Sequence, residues 1–156
     1  MEDPQTAQAP PTAQDTQDLA VRTALPIVDV GVWARHVSRG LWRPYAWQRY
    51  VLPIVTGAVI RGDARIILNL PPRVGKSELF AHWFPVAYLE SCPRDWVMVG
   101  SYAQDLAEDH GRKIRNEFRD NDRINTRHVR LRDDSQSASR WHTNFGGGMF
   151  AAGLDG

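Results

Sequence analysis

The sequence predicts an α/β fold, a parallel sheet with helices around it, incomplete, preceded by a helical segment and closed by a C-terminal β-hairpin. Three observations predict it. Two short apolar runs rich in β-branched residues, Ile66–Leu70 and Trp96–Tyr102, read as buried strands. Each is followed by a stretch with helical spacing of its apolar residues, so the middle of the chain alternates helix, strand, helix, strand, helix. The first run enters its helix through Pro71-Pro72-Arg73-Val74-Gly75-Lys76-Ser77, a short loop ending in Gly-Lys-Ser.

Taken in order, residues 1–24 are rich in Pro, Gln, Ala, Thr and Asp and hold few large apolar side chains. Such a segment buries too little surface to offset its ordering entropy and is expected to be a disordered tail. Residues 25–62 form a helical N-terminal segment. Val30, Trp33, Ala34 and Val37 recur at helical spacing, and Gly40 is placed to stop that helix. A second helix is expected between Pro44 and Ile60, with a kink or late start at Pro53. Arg61-Gly62-Asp63 is a turn.

Residues 63–156 form a partial domain around the loop. Ile66–Leu70 is apolar on both faces, as a central parallel strand would be. After the loop a helix runs from Lys76 toward Glu90, interrupted by Pro85. The strand Trp96–Tyr102 and a helix from Ala103 to Phe118 follow, the latter with Leu106, Ile114 and Phe118 on its apolar side. Asn121 to Ser139 is polar and irregular apart from a short alternating piece, Thr126 to Leu131. Arg140–Phe145, a turn at Gly146-Gly147-Gly148, and Met149–Ala152 make the hairpin. The chain then ends at Asp155-Gly156 with no further apolar run, and reads as cut short.

Composition bounds the function. With 156 residues, 42% hydrophobic and 10% aromatic, the chain is long enough for one domain with a modest core. A net charge of +1 excludes a polycation, so any nucleic-acid contact comes from a local patch. The stretch Arg112 to Arg132 holds many arginines, but Glu117, Asp120 and Asp122 among them suit a solvated, salt-bridged face. The single cysteine, Cys92, permits no internal disulfide and no cysteine zinc site, and fits a reducing, cytoplasmic setting. His82, His110, His128 and His142 show no metal-ligand spacing. No apolar run approaches the ~18 residues a membrane span needs.

The chemistry sits in the loop. A strand–loop–helix junction ending in Gly-Lys-Ser is the order of a P-loop, which makes the predicted sheet one of P-loop NTPase type. In such a loop, backbone N–H groups and the helix start face a phosphate. Pro72, Val74, Gly75, Lys76 and Ser77 line the nucleotide, Lys76 reaches its outer phosphates, and the Ser77 hydroxyl ligates Mg. Lys76 and Arg73 are the catalytic candidates, Arg73 by steadying transition-state charge. The pattern's first glycine is replaced by Leu70, and Pro71 and Pro72 stiffen the loop and remove donors. The same residues also suit an ordinary strand-to-helix turn with Ser77 at its start. Gln48 can donate and accept together, as an adenine edge requires, and Pro44, Tyr45 and Trp47 could wall the ring. Equally, these aromatics are core and Gln48 is exposed.

Pro71-Pro72-Arg73-Val74-Gly75-Lys76-Ser77-Glu78 resembles the loop of tailed-phage terminase large subunits, ATP-driven motors that package DNA, in which a Pro-Pro-Arg-x-Gly-Lys-Ser form is common. Trp47-Gln48 lies where that family has its adenine-reading glutamine. Phe84-Pro85-x-x-Tyr88-Leu89, then Ser101-Tyr102 with Leu106 to Asp109 and Arg112-Lys113, resemble the elements after the loop. Arg140-Trp141-x-Thr143 and the glycine triplet resemble the hairpin before the family's acidic motif. The similarity covers Pro44 to Gly156. It implies ATP and Mg as cofactors, and hydrolysis coupled to translocation of double-stranded DNA into procapsids. It also implies a portal protein and a small terminase subunit as partners, and oligomers only for the full-length protein. The acidic Walker B strand and the nuclease domain have no counterpart here, and Asp155 has no apolar strand to aim it, so this chain alone is expected to bind ATP without hydrolysing it. Two alternatives stand: a fragment of a helicase-like P-loop DNA translocase, and a non-enzymatic prophage remnant or split-gene half.

Overall fold

The computed structural model describes residues 29–62, 64–120 and 129–154. The tail expected over residues 1–24, Asp63, the first half of the Thr126–Leu131 piece and Asp155 lie outside the described residues.

Helix α1, Val30–Val37, is capped by Asp29, whose carboxylate accepts from the Gly31 and Val32 amides at 2.9 and 3.1 Å. It ends where Arg39 and Gly40 take positive φ and the Gly40 amide bonds the Arg35 carbonyl, the stop anticipated at Gly40. Helix α2, Ala46–Arg61, runs through Pro53 rather than starting after it. Pro53 is exposed, so its ring meets solvent and the helix loses only one ladder bond. Past the loop come α3, Lys76–Glu78, a π-helical turn, Leu79–Trp83, and α4, Phe84–Ser91, joined end to end. The interruption expected at Pro85 falls one turn earlier. Pro85 has no N–H to close the ladder onto Ala81, and the wider turn absorbs the missing bond. Helix α5 is Gln104–Asp120.

The sheet has four strands, β1 (Trp96–Ser101), β2 (Leu131–Gln136), β3 (Arg140–Thr143) and β4 (Gly148–Gly153), in the order β1-β4-β3-β2. β1 and β4 are parallel, with Trp96 opposite Gly148 and Ser101 opposite Gly153. β4 with β3 and β3 with β2 are antiparallel, so the sheet is mixed, not the parallel sheet predicted. The hairpin is present as expected. β2 was not anticipated: its sequence, Leu-Arg-Asp-Asp-Ser-Gln, carries no apolar alternation, and its backbone pairing to β3 makes it a strand.

The larger correction concerns Ile66–Leu70. It belongs to no strand, and Ile67 is 88% exposed. A central strand is made by neighbours on both sides, and no described strand pairs with this run. β1 has a neighbour on one side only, so its other edge is also free of described partners. One face of the sheet is covered by α5 through Ala107, Gly111, Ile114 and Phe118, with Trp141 and Met149 buried beneath. Leu106, expected on that apolar side, is instead exposed. The opposite face leaves Trp96, Met98 and Phe150 open to solvent, with the Arg140 guanidinium 5.5 Å from the Trp96 ring. The core continues from Leu79, Trp83, Val86 and Leu89 to the α1 side chains Trp33 and Val37. No helix among the described residues is long and apolar enough to cross a membrane.

Candidate phosphate-binding site

Two backbone conformations shape the loop. Arg73 has φ 62° and Gly75 has φ 80°, ψ 19°, both left-handed, and Lys76 then enters the helix. Glycine takes this region freely, whereas arginine does so only when its surroundings impose it. Alternation of left- and right-handed residues turns successive N–H groups to one side and makes an anion-binding concavity.

The N-terminal turn of α2 holds the other side of the loop. The Trp47 indole N–H donates to the Val74 carbonyl at 3.1 Å, and Gln48 Nε2 donates to the Gly75 carbonyl at 3.1 Å. Gln48 Oε1 accepts the Tyr45 amide at 2.8 Å, closing the first turn of its own helix. The Tyr45 ring lies against Gly75, where an added Cβ would sit 3.1 Å from Tyr45 Cε2 and 3.3 Å from Gln48 Nε2. With two successive carbonyls drawn inward, the loop's amides are left to face out. Those of Gly75 to Glu78 have no acceptor among the described residues, as the first turn of a helix requires.

Lys76 and Ser77 are exposed, and Lys76 Nζ reaches back to the Leu70 carbonyl at 3.3 Å. Arg73 is exposed beside them. Free amides, a helix start, an ammonium group and a hydroxyl therefore converge, and this set fits a phosphate group. Pro71 and Pro72 contribute no donor. For a magnesium ion the fit is narrower. The Ser77 hydroxyl is the one side-chain oxygen the described loop offers, and no cluster of three potential metal-binding side chains occurs among the described residues. Any such ion would draw its remaining ligands from phosphate oxygens and water.

Of the residues assigned to adenine, Gln48 is fully buried and both ends of its amide are bonded within the protein. In this geometry it struts the loop. Trp47, half-buried, does the same through its indole nitrogen. Tyr45 is 60% exposed and is the aromatic ring of the group that keeps an open face beside Gly75. In the arginine-rich stretch, Arg112 pairs with Asp109, Arg119 with Asp120 and Arg132 with Asp134, the salt-bridged face read from sequence.

Immediately below the loop lies a group the sequence did not single out. His82 is buried in the π-helical turn, its Nδ1 2.8 Å from Glu78 Oε1 and its Nε2 3.2 Å from Glu117 Oε1. Lys113 Nζ lies 4.0 Å from the other Glu78 oxygen, so the start of the loop helix is tied to α5. The Glu78/His82 spacing of four was visible in sequence, but Glu117, on a separate helix, was not. Burial alone would push the His82 imidazole down, yet the bonds to Glu117 and Glu78 outweigh it and hold its pKa above the ordinary 6.5. The resulting stabilisation is complete below the unfolded value and is lost as pH rises through the folded one. The melting temperature is thus expected to fall as pH rises from about 6 to about 9, and His82→Gln is expected to flatten that dependence. Thermal melts of both proteins across this range check it; parallel curves would refute the coupling.

Comparison with protein-family models, with curated proteins and with solved structures finds no match to this chain.

Proposed function

We propose that the loop grips the polyphosphate of ATP with Mg, and that the chain is the ATP-binding part of a terminase-like motor for packaging double-stranded DNA. One observation carries the first half: the carbonyls of Val74 and Gly75 are drawn toward α2 while the amides of Gly75 to Glu78, beside Lys76 and Ser77, have no acceptor among the described residues. The motor assignment is supported by the resemblance of the residues from Pro44 onward, and with it the proposed partners, a portal protein and a small terminase subunit.

In this reading Lys76 balances phosphate charge, Ser77 holds the ion, and Arg73 lies across the developing charge of the outer phosphate. Gln48 and Trp47 position the loop, and Tyr45 offers a stacking face to the base. Magnesium supplies charge neutralisation between phosphate oxygens. The nearest carboxylate, Glu78, is committed to His82 and Lys113, so no described residue beside the loop is free to activate water. The proposal is accordingly one of binding without turnover by this chain.

Titration calorimetry with ATP and magnesium tests it. Lys76 is exposed, so Lys76→Ala is expected to preserve the fold while weakening binding roughly tenfold or more, about 1.4 kcal/mol. Absence of binding heat, or equal heat from both proteins, would overturn the proposal.

A further inference from the structure

Beside α2, α1, the Arg43-Pro44 segment and α2 itself enclose a half-open cleft of about 920 Å³ that none of the loop residues lines. Its lining divides into two chemistries. Arg35, Arg43 and Arg49 stand around it, all exposed, and none forms an ion pair with a described residue. Leu52, Pro53 and Ile60, one stripe of α2, supply apolar surface, and Ile60 is 52% exposed. The one carboxylate in the lining, Asp29, is already engaged in capping α1. Three guanidinium groups thus surround an apolar floor against a single carboxylate among the described lining residues, an excess of positive charge.

From this we infer that the cleft docks an acidic amphipathic helix of a partner protein, its apolar side on the α2 stripe and its carboxylates on the three arginines. A guanidinium fork suits a carboxylate in two-point contact, and a helix laid in a groove anchors through residues at spacings of three, four and seven. Duplex DNA would satisfy the arginines, but a phosphodiester backbone has nothing to place on Leu52, Pro53 and Ile60. The apolar floor therefore favours the peptide. This inference is independent of the loop's role, since the cleft shares none of the loop's residues.

The test uses the full chain and fluorescence anisotropy with a labelled peptide of about 16 residues, built from Glu, Ala and Leu with the leucines on one helical face. A scrambled peptide of the same composition and a duplex of about 20 base pairs are the comparisons. The amphipathic peptide is expected to bind, and the scrambled one to bind roughly tenfold more weakly or not at all. Joint Arg35→Glu, Arg43→Glu and Arg49→Glu substitution, and separately Ile60→Asp, are each expected to weaken the first peptide by about tenfold or more. Unchanged circular dichroism melts would show that both variants fold. Equal binding of the two peptides, retention by either variant, or no binding of the amphipathic peptide would overturn the inference. Duplex binding that is lost in the arginine variant, without peptide binding, would identify a nucleic-acid surface instead.

Discussion

Gly111→Ala is expected to destabilise the protein by about 2–3 kcal/mol or more, a large share of a typical domain's stability. A Cβ at Gly111 would lie 2.2 Å from the Ala138 carbonyl oxygen, and 3.3 Å from Ala151 Cβ and Met149 Cε. The first of these is backbone, in the turn between β2 and β3, so no side chain can swing aside. Either α5 lifts from the sheet, exposing Ile114 and Phe118, or the hairpin shifts. Alanine's helix propensity returns about 1 kcal/mol, which lowers the net loss without reversing it. Gly100→Ala is the internal control, since a Cβ there meets nothing within 4 Å, and a change within about 0.5 kcal/mol is expected. Urea unfolding of the three proteins decides the matter. A Gly111→Ala protein as stable as wild type would mean that α5 does not approach the hairpin so closely.

Gln48→Glu is expected to cost about 3 kcal/mol or more at neutral pH, although it preserves the side chain's shape. The substitution removes the donor to the Gly75 carbonyl and places a carboxylate against that oxygen in a site with no solvent access. Protonation restores a donor, so the deficit should shrink as pH falls, whereas an exposed carboxylate with an unshifted pKa would show no such dependence. Gln48→Ala should lose less, about 2 kcal/mol, through the unmet Tyr45 amide and the loss of one of two donors to the Gly75 carbonyl, which keeps the Leu79 amide. Melts of these variants over a pH series separate a loop strut from an adenine contact. A residue that served only the base would leave the melting temperature of the nucleotide-free protein unchanged.

What could be read from the sequence was what local chemistry determines. The order of helices followed from apolar spacing, and the Gly75-Lys76-Ser77 run marked where the loop helix begins. The hairpin came from two short runs around a glycine triplet, although Gly146 is the member with positive φ. The largest misreadings were non-local. Ile66–Leu70 has the composition of a buried strand, but a strand is a property of its neighbours, which lie elsewhere in the chain. β2 is a strand by pairing in spite of its polar residues. Gln48, read as an adenine contact or else an exposed amide, is buried, and only the approach of residues 74 and 75 gives that burial a reason. Glu117 enters the His82 cluster from 35 positions away.

The wide turn at Leu79–Trp83 amounts to one surplus residue set within an otherwise regular coil. Everything past it, Val86 and Leu89 included, is phased about 100° apart from where an unbroken coil would put it. The stretch joining Ser77 to the core is therefore constrained in its count of residues more tightly than in their identity. Shortening it by one would rotate Lys76 and Ser77 and the Val86–Leu89 face against each other, a mismatch that no repacking of side chains repairs.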